Sequence, residues 1–240
     1  MSRTFYKSNL LIPFVFLLIS LAGQTQTRLE DIDKSRIRQK SIRNFLTAQV
    51  EIGIVNVEDF KPSVDEQTDS SLFDSNVHYF SLQHGQASTR QAHSSAWKTY
   101  LSVHPSQVWQ GKVVSCGFVY SPQSKQAIFP DDPYPGLETG QVFFIEMRVF
   151  FGLVRFPVCF LVTQIDESRQ AITFSYIASG PSKGSQEIQL TDNGNGKTQI
   201  RHSSIHQTQN AIRDKTLYPI YHKKAIREVH QNIKNRIETD

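Results

Sequence analysis

Residues 141–151 read QVFFIEMRVFF, which is the clearest strand pattern in the chain. Alternate positions are apolar, and the positions between them include Glu146 and Arg148, which we expect to face solvent. This two-residue period predicts a strand with one face in a core. The residues on that face are Phe143, Ile145, Met147, Val149 and Phe151.

Residues 218–237 show a different period, in which apolar positions recur every three or four residues. That spacing predicts a long helix with a single apolar stripe. The stripe contains Tyr218, His222, Ile226, Val229, Ile233 and Ile237. A strand with one apolar face and a helix with one apolar stripe each need a partner, so we expect this helix to lie on a sheet.

The segments around residues 141–151 extend the sheet. The strand-like stretches are 76–85, 112–121, 156–165, 171–178, 185–190 and 198–207. The turn DNGNGK at 192–197 contains Asn-Gly, which favours a tight hairpin. A helix is predicted from Ser88 to Trp109, with Ser88 or Thr89 as its N-cap. The order predicts an α+β fold, a curved antiparallel sheet gripping a long C-terminal helix.

The N-terminus has the three parts of a secretory signal peptide. Arg3 and Lys7 precede the apolar run LLIPFVFLLISL at 10–21, and small residues, Ser20 and Ala22, stand at the cleavage positions. The run is shorter than the roughly 20 residues that span a bilayer, although an uncleaved anchor is the alternative. We therefore predict that residues 1–22 are removed and that the protein is secreted or periplasmic.

Residues 23–74 are interpreted as an N-terminal helix and linker that precede a domain at 75–240. The helix is expected over 28–49, either packed on the domain or lying on a membrane surface; its mixed charges favour packing. A strand is predicted at 51–57, EIGIVNV, and a linker at 59–75.

Composition narrows the class of protein. Apolar residues make up 38% and charged residues 20% of the 240-residue chain, which is typical of a globular protein. The net charge is +4, and loss of Arg3 and Lys7 with the signal peptide leaves 24 basic against 22 acidic residues, or +2. This small charge gives no electrostatic basis for nucleic-acid binding.

Cys116 and Cys159 lie in apolar stretches, which favours buried free thiols over a disulfide.

A family resemblance is carried by Phe174-Ser175-Tyr176, followed by Gly180, Gly184 and Glu187-Ile188. With the order of elements, these residues resemble the helix-grip superfamily of START-like and birch-pollen-allergen-like domains, which includes polyketide cyclases. More specifically, the chain is similar to an uncharacterised bacterial and plant family within that superfamily. The resemblance covers about residues 75–235. It implies an apolar cavity between sheet and helix, often for a lipid or another hydrophobic ligand.

Candidate site residues follow from the faces of these elements. Tyr176, His202 and His222 are predicted to bind the polar end of a ligand, because their strands and helix turn these positions toward the cavity. His206 shares the face of His202 unless a bulge at Ser203-Ser204 turns it outward. Three imidazoles could also bind a metal, but the fourth ligand of such a site is not visible, so neither a metal nor another cofactor is predicted.

The sequence thus favours a secreted or periplasmic protein that binds a hydrophobic ligand. Its expected partner is a lipid or another apolar small molecule, with no nucleic acid and no stable membrane insertion after signal cleavage. One alternative is an enzyme on the same fold, cyclase- or hydrolase-like, that uses Tyr176 and His202. Another is an envelope structural or interaction domain with a filled core. No catalytic residue is assigned, because no nucleophile elbow, phosphate loop or zinc-protease motif is present.

Processing of the N-terminus is directly testable. N-terminal sequencing of the exported protein should begin near Gly23, because the small residues before it match the signal-peptidase pattern. Recovery of a membrane-embedded form that still begins at Met1 contradicts this prediction.

Overall fold

The computed structural model describes residues 26–64, the backbone of 80–89 and of 93, and residues 94–192, 194, 197–207 and 216–239. The predicted signal peptide, residues 65–75 of the predicted linker and Asn193, Asn195 and Gly196 of the DNGNGK turn lie outside the described residues. Nothing in the described residues bears on where the N-terminus is cleaved.

Within these ranges eight strands form one antiparallel sheet, in the order β1-β8-β7-β6-β5-β4-β2-β3. The strands are β1 (Phe80–Thr89), β2 (Val114–Ser121), β3 (Gln126–Ile128), β4 (Val142–Val149), β5 (Val154–Asp166), β6 (Ala171–Tyr176), β7 (Lys183–Asp192) and β8 (Thr198–Gln207). From β4 to β8 each strand pairs with the next in the chain, which is the predicted meander.

The α-helices of the described residues are α1 (Lys40–Glu51), α2 (His93–Ser102), α3 (Pro105–Val108) and α4 (Tyr218–Thr239). Helix α4 lies against β1, α2 and α3. The predicted fold class is confirmed: the protein is α+β, with a curved antiparallel sheet around a long C-terminal helix.

One core lies between α4 and the concave face of the sheet. The α4 stripe contributes Ala225, Val229, Ile233 and Ile237, all of them buried. Across from them lie inward residues of β4 to β8, including Ile145, Val162, Ile172, Ile188 and Ile200. The apolar stripe and the alternating strands therefore bury each other, as their periods predict.

A second core lies on the outer face of the sheet. Residues before β1, among them Leu29, Ile42 and Leu46, pack there against Phe118 and Phe144. The rings of Phe118 and Phe144 stack with centroids 4.2 Å apart. Packing of residues 28–49 on the sheet is thus confirmed, and β2 is buried along its whole length because both of its faces are covered.

Several predicted boundaries before the meander are wrong. Residues 34–36 form a 3₁₀ turn capped by Asp33, and the α-helix starts only at Lys40. The stretch 51–57 is not a strand, because Gly53, at φ 90°, reverses the chain directly after α1. Ser88 and Thr89 do not cap a helix; they belong to β1, opposite β8.

Residues 59–64 are not a free linker. Phe60 is buried in the outer core. The backbone N–H of Ser63 donates to the Tyr176 carbonyl at 2.7 Å, and its hydroxyl accepts the Gly184 N–H at 3.0 Å. These bonds tie the segment to the junction between β6 and β7.

Two expectations for residues 141–151 are also wrong. Phe151 does not face the core, because β4 ends at Val149 and the chain turns with positive φ, so that Phe151 is fully exposed. Glu146 is not solvated but buried on the outer face. It accepts a hydrogen bond from the Ser41 hydroxyl at 2.7 Å and pairs with Arg148 at 3.0 Å, which compensates for the burial of its charge.

The two cysteines lie on opposite faces of the sheet, Cys116 in the concave core and Cys159 in the outer core. Both are free and buried, as the sequence predicts. Burial raises the pKa of the Cys116 thiol to about 12 and raises the pKa of Cys159 as well. Both thiols are therefore protonated and unreactive in the folded protein.

Two polar side chains hold the middle of α4 against the α3–β2 connection. The Glu228 carboxylate accepts the backbone N–H groups of Lys112 and Val113, each at 2.9 Å, and that of Val114 at 3.3 Å. One helical turn later, the Asn232 amide donates to the backbone carbonyls of Val108, at the end of α3, and Gln110. A Cβ at Gly111 would lie 2.1 Å from the Glu228 carboxylate, so a larger residue there would displace it.

Burial of the α4 stripe predicts the effect of a charge placed within it. Ile233 is fully buried, so Ile233→Asp should lower the free energy of unfolding by roughly 3 kcal/mol or more. Asn235→Asp adds the same charge to an exposed position of α4 and should change it by less than about 0.5 kcal/mol. Urea unfolding of both variants makes the comparison, and equal stabilities would contradict the packing described here.

Candidate functional site

A cavity of about 290 Å³ lies between the concave face of the sheet and the first turns of α4. Most of its wall is apolar and comes from β4, β5 and α4. The apolar residues include Trp109, Ile145, Met147, Val149, Phe156, Val158, Phe160, Ala225 and Ile226. Space therefore remains where the apolar faces of sheet and helix diverge toward the start of α4.

Polar side chains line the cavity where β6, β7 and β8 approach the start of α4. They are Tyr176, Ser182, Gln186, His206, Tyr218 and His222. The hydroxyls of Tyr176 and Tyr218 are 3.2 Å apart, within hydrogen-bonding distance. An apolar chamber with a few polar groups gathered together is the usual form of a small-molecule site.

Three aromatic rings of this region form a continuous stack. The rings of His206 and Tyr218 are nearly parallel, with centroids 3.5 Å apart. The Tyr218 ring continues onto His222 at 4.8 Å, and Tyr176 meets His206 edge-on at 5.4 Å. The rings of Tyr176 and Tyr218 are thus joined through His206 of β8, which fixes the polar groups of three elements relative to one another.

His202 lies behind this wall rather than in it. A ring nitrogen, Nε2, is 2.8 Å from the Gln186 side-chain oxygen, and the His222 ring lies 6.0 Å away. His202 is buried, as predicted, but it does not line the cavity. The hydrogen bond from His202 orients the carboxamide of Gln186, and Gln186 does line the cavity.

The position of the β8 side chains follows from an unbroken strand. Residues 198, 200, 202, 204 and 206 are buried, and the described residues between them are partly or fully exposed. Pairing with β7 runs without a shift from Lys183 opposite Gln207 to Asp192 opposite Thr198. The bulge that would have turned His206 outward is absent, so His206 lies on the cavity wall.

The cavity reaches the surface beside the β4–β5 connection. Among the described lining residues, Phe150 and Val154 are the most exposed, at 42% and 47%. The Phe150 N–H donates to the Tyr221 hydroxyl at 2.9 Å, and the two rings meet edge-on at 5.7 Å. The opening is therefore bounded by this connection and the first turn of α4.

The described lining of the cavity contains no Asp, Glu, Lys or Arg. Its polar groups are hydroxyls, imidazoles and a carboxamide, which can bond a hydroxyl, carbonyl or carboxyl group of a ligand. No cluster of three or more metal-ligating side chains occurs among the residues that the structure describes.

Two of the three predicted site residues, Tyr176 and His222, line the cavity. Sequence reasoning missed Tyr218, Gln186 and Ser182. Tyr218 is the first residue of the apolar stripe of α4. A hydroxyl on that stripe is the signal that could have identified it as a polar residue of the cavity. Ser182 lies between Gly180 and Gly184, residue types that favour a turn, whereas β7 starts directly after it and Ser182 is buried in the wall.

Comparison with solved structures finds similar folds. One is a norcoclaurine synthase point mutant from Thalictrum flavum with a transition-state analogue, at 10% identity and a TM-score of 0.48, covering 67% of this chain and 95% of that one. Another is Ara h 8.0201, at 13% identity, a TM-score of 0.45, and coverage of 68% and 99%. A third is the major latex-like protein 151 from Panax ginseng, at 12% identity and a TM-score of 0.45, covering 65% of this chain and 96% of that one.

With α4 seated in the concave face of an antiparallel meander, the structure matches the architecture that the sequence resemblance implies. The chain has the helix-grip fold. No protein-family model matches the sequence, and comparison with curated proteins yields no match. Among the described residues, no helix is both long and apolar enough to cross a membrane.

Proposed function

We propose that this protein binds a small, mostly apolar molecule with one polar end in the cavity between the sheet and α4. The observation that carries the proposal is the cavity itself, with its apolar wall and its polar groups gathered near the start of α4. Export to the periplasm or the exterior is part of the proposal and is supported by the N-terminal sequence pattern.

The apolar wall favours the body of such a ligand. Burial of apolar surface contributes about 25 cal/mol per Å², so a hydrocarbon segment enclosed by β4, β5 and α4 gains affinity in proportion to its enclosed area. The volume of about 290 Å³ lies at the lower end of the range of small-molecule pockets, so it suits a small ligand.

The polar groups favour one oxygen-bearing end. A ligand oxygen that approaches the Tyr176–Tyr218 pair meets two hydroxyls already held 3.2 Å apart. The Gln186 carboxamide, oriented by His202, offers a further donor and acceptor. In this proposal His202 is a positioning residue, and Tyr176 and His222 contact the ligand.

The structure lends less support to the two alternatives. An enzyme that uses Tyr176 and His202 together requires both at the substrate, yet His202 is engaged with Gln186 behind the wall. A structural domain with a filled core does not account for an open chamber of this volume.

Filling the cavity should abolish binding. Ala225 is buried on α4 and lines the chamber, so Ala225→Phe places a ring in the proposed binding space. We expect at least a tenfold loss of affinity for a fluorescent fatty-acid-like probe, measured by titration, with the fold preserved in the far-ultraviolet circular dichroism spectrum. The matched control is Ala48→Phe on the exposed face of α1. Equal affinities for the two variants would show that the probe binds elsewhere.

Removing one hydroxyl should change ligand preference. Tyr176→Phe deletes a hydrogen-bonding group worth about 0.5–1.5 kcal/mol, so affinity for a medium-chain fatty acid should fall about threefold to tenfold. Affinity for an alkane of the same length should stay constant. Tyr120→Phe removes a hydroxyl that bonds Glu58 away from the cavity, and serves as control. If Tyr176→Phe leaves the acid-to-alkane ratio unchanged, Tyr176 does not bind the polar end.

A further inference from the structure

The β4–β5 connection exposes large apolar side chains beside the opening of the cavity. Phe151 and Leu153 are 108% and 86% exposed, and Ile220, in the adjacent first turn of α4, is 52% exposed. We call residues 150–154 together with Ile220 the apolar tip. It is continuous with the cavity, because Phe150 and Val154 belong to both.

Folding stability does not account for this tip. Phe150 and Phe151 adopt the left-handed conformation, at φ 49° and 60°, which is unfavourable for bulky side chains. The Phe151 ring belongs to neither core, so no burial of this ring compensates for the strain. Strained, exposed aromatic residues at the edge of a cavity indicate a surface that contacts something apolar.

Basic side chains surround the tip. Arg155 donates from Nε to the Gly152 carbonyl at 3.0 Å, and the Lys224 ammonium lies 5.3 Å from the centre of the Tyr221 ring. Lys223, Lys224 and Arg227 are exposed on the helix face that also carries Ile220.

Two acids adjoin these basic residues. Glu228 follows Arg227 on α4 and accepts the backbone N–H groups of Lys112 and Val113. Glu146 lies within the outer core. Glu146 is buried there, 3.0 Å from Arg148 and 3.9 Å from Arg155. One carboxylate between two guanidinium groups leaves one positive charge. Together with the exposed lysines of α4, the rim is therefore cationic.

We propose that the apolar tip docks onto the surface of a lipid bilayer that carries anionic headgroups. Phe151, Leu153 and Ile220 enter the boundary between headgroups and acyl chains, and the basic residues meet the headgroups. Apolar area combined with positive charge is the combination that binds such surfaces. Docked in this way, the cavity opens toward the acyl chains. Docking requires no ligand in the cavity, so it can fail or succeed independently of the proposed ligand binding.

A tryptophan placed at the tip reports docking directly. We compare Phe151→Trp with Ile52→Trp, which occupies a 65%-exposed position at the end of α1. The native Trp97 and Trp109 are buried, but Trp109 lines the cavity, so the unsubstituted protein is titrated in parallel and its signal is subtracted. The exported protein is titrated with phosphatidylserine–phosphatidylcholine vesicles, with and without brominated acyl chains. We expect a blue shift and bromine quenching for Phe151→Trp, and neither for Ile52→Trp.

The charge requirement is tested with Lys223→Gln/Lys224→Gln in the Phe151→Trp background. Since each lysine near an anionic surface contributes about a fivefold gain in affinity, the lipid concentration at half-maximal shift should rise about tenfold or more. Absence of a shift at position 151, an equal shift at position 52, or no effect of the lysine changes would overturn the proposal. A shift without vesicles that grows with protein concentration would overturn it in favour of a second copy of the chain.

Discussion

The bonds between the Glu228 carboxylate and three backbone N–H groups at the start of β2 set where α4 lies in the concave face. A carboxylate that accepts several N–H groups forms strong, directional contacts. Tyr218 precedes Glu228 by about 15 Å along the helix, so the first turns of α4 extend away from this attachment. The gap beneath those turns is the cavity, and its shape therefore depends on a contact whose residues are not part of its lining.

The elements that could be predicted from the sequence are those whose period repeats over many residues. The meander and α4 each show one apolar face over ten positions or more, and burial of that face leaves one arrangement. Residues 28–64 offered such a repeat only over α1. Their apolar residues are spread over a 3₁₀ turn, a short helix and irregular chain, because they fill gaps on the outer face of β2 and β4. That surface is assembled only by the folded sheet.

The site was predicted in part for the same reason. Tyr176 and His222 follow from the alternation of β6 and the stripe of α4. The sequence could not predict that His202 lies behind the wall. Its position depends on the hydrogen bond between its imidazole and the side chain of Gln186 on the neighbouring strand. Phe151 was wrongly placed in the core, because its position continues the alternating pattern of β4. The backbone has already turned at Phe150, so the strand ends before it. Periodicity describes a face only as far as the element continues.

Coverage of the sheet on both sides gives the cavity walls of unequal stiffness. Strands β2 and β4 and the middle of β5 are held between two packed layers, and packed interiors resist deformation. The first turns of α4 and the β4–β5 connection have a single layer beneath them and water above. For the ligand that we propose, the rigid wall is therefore expected to set the width that fits and the compliant wall to set the length.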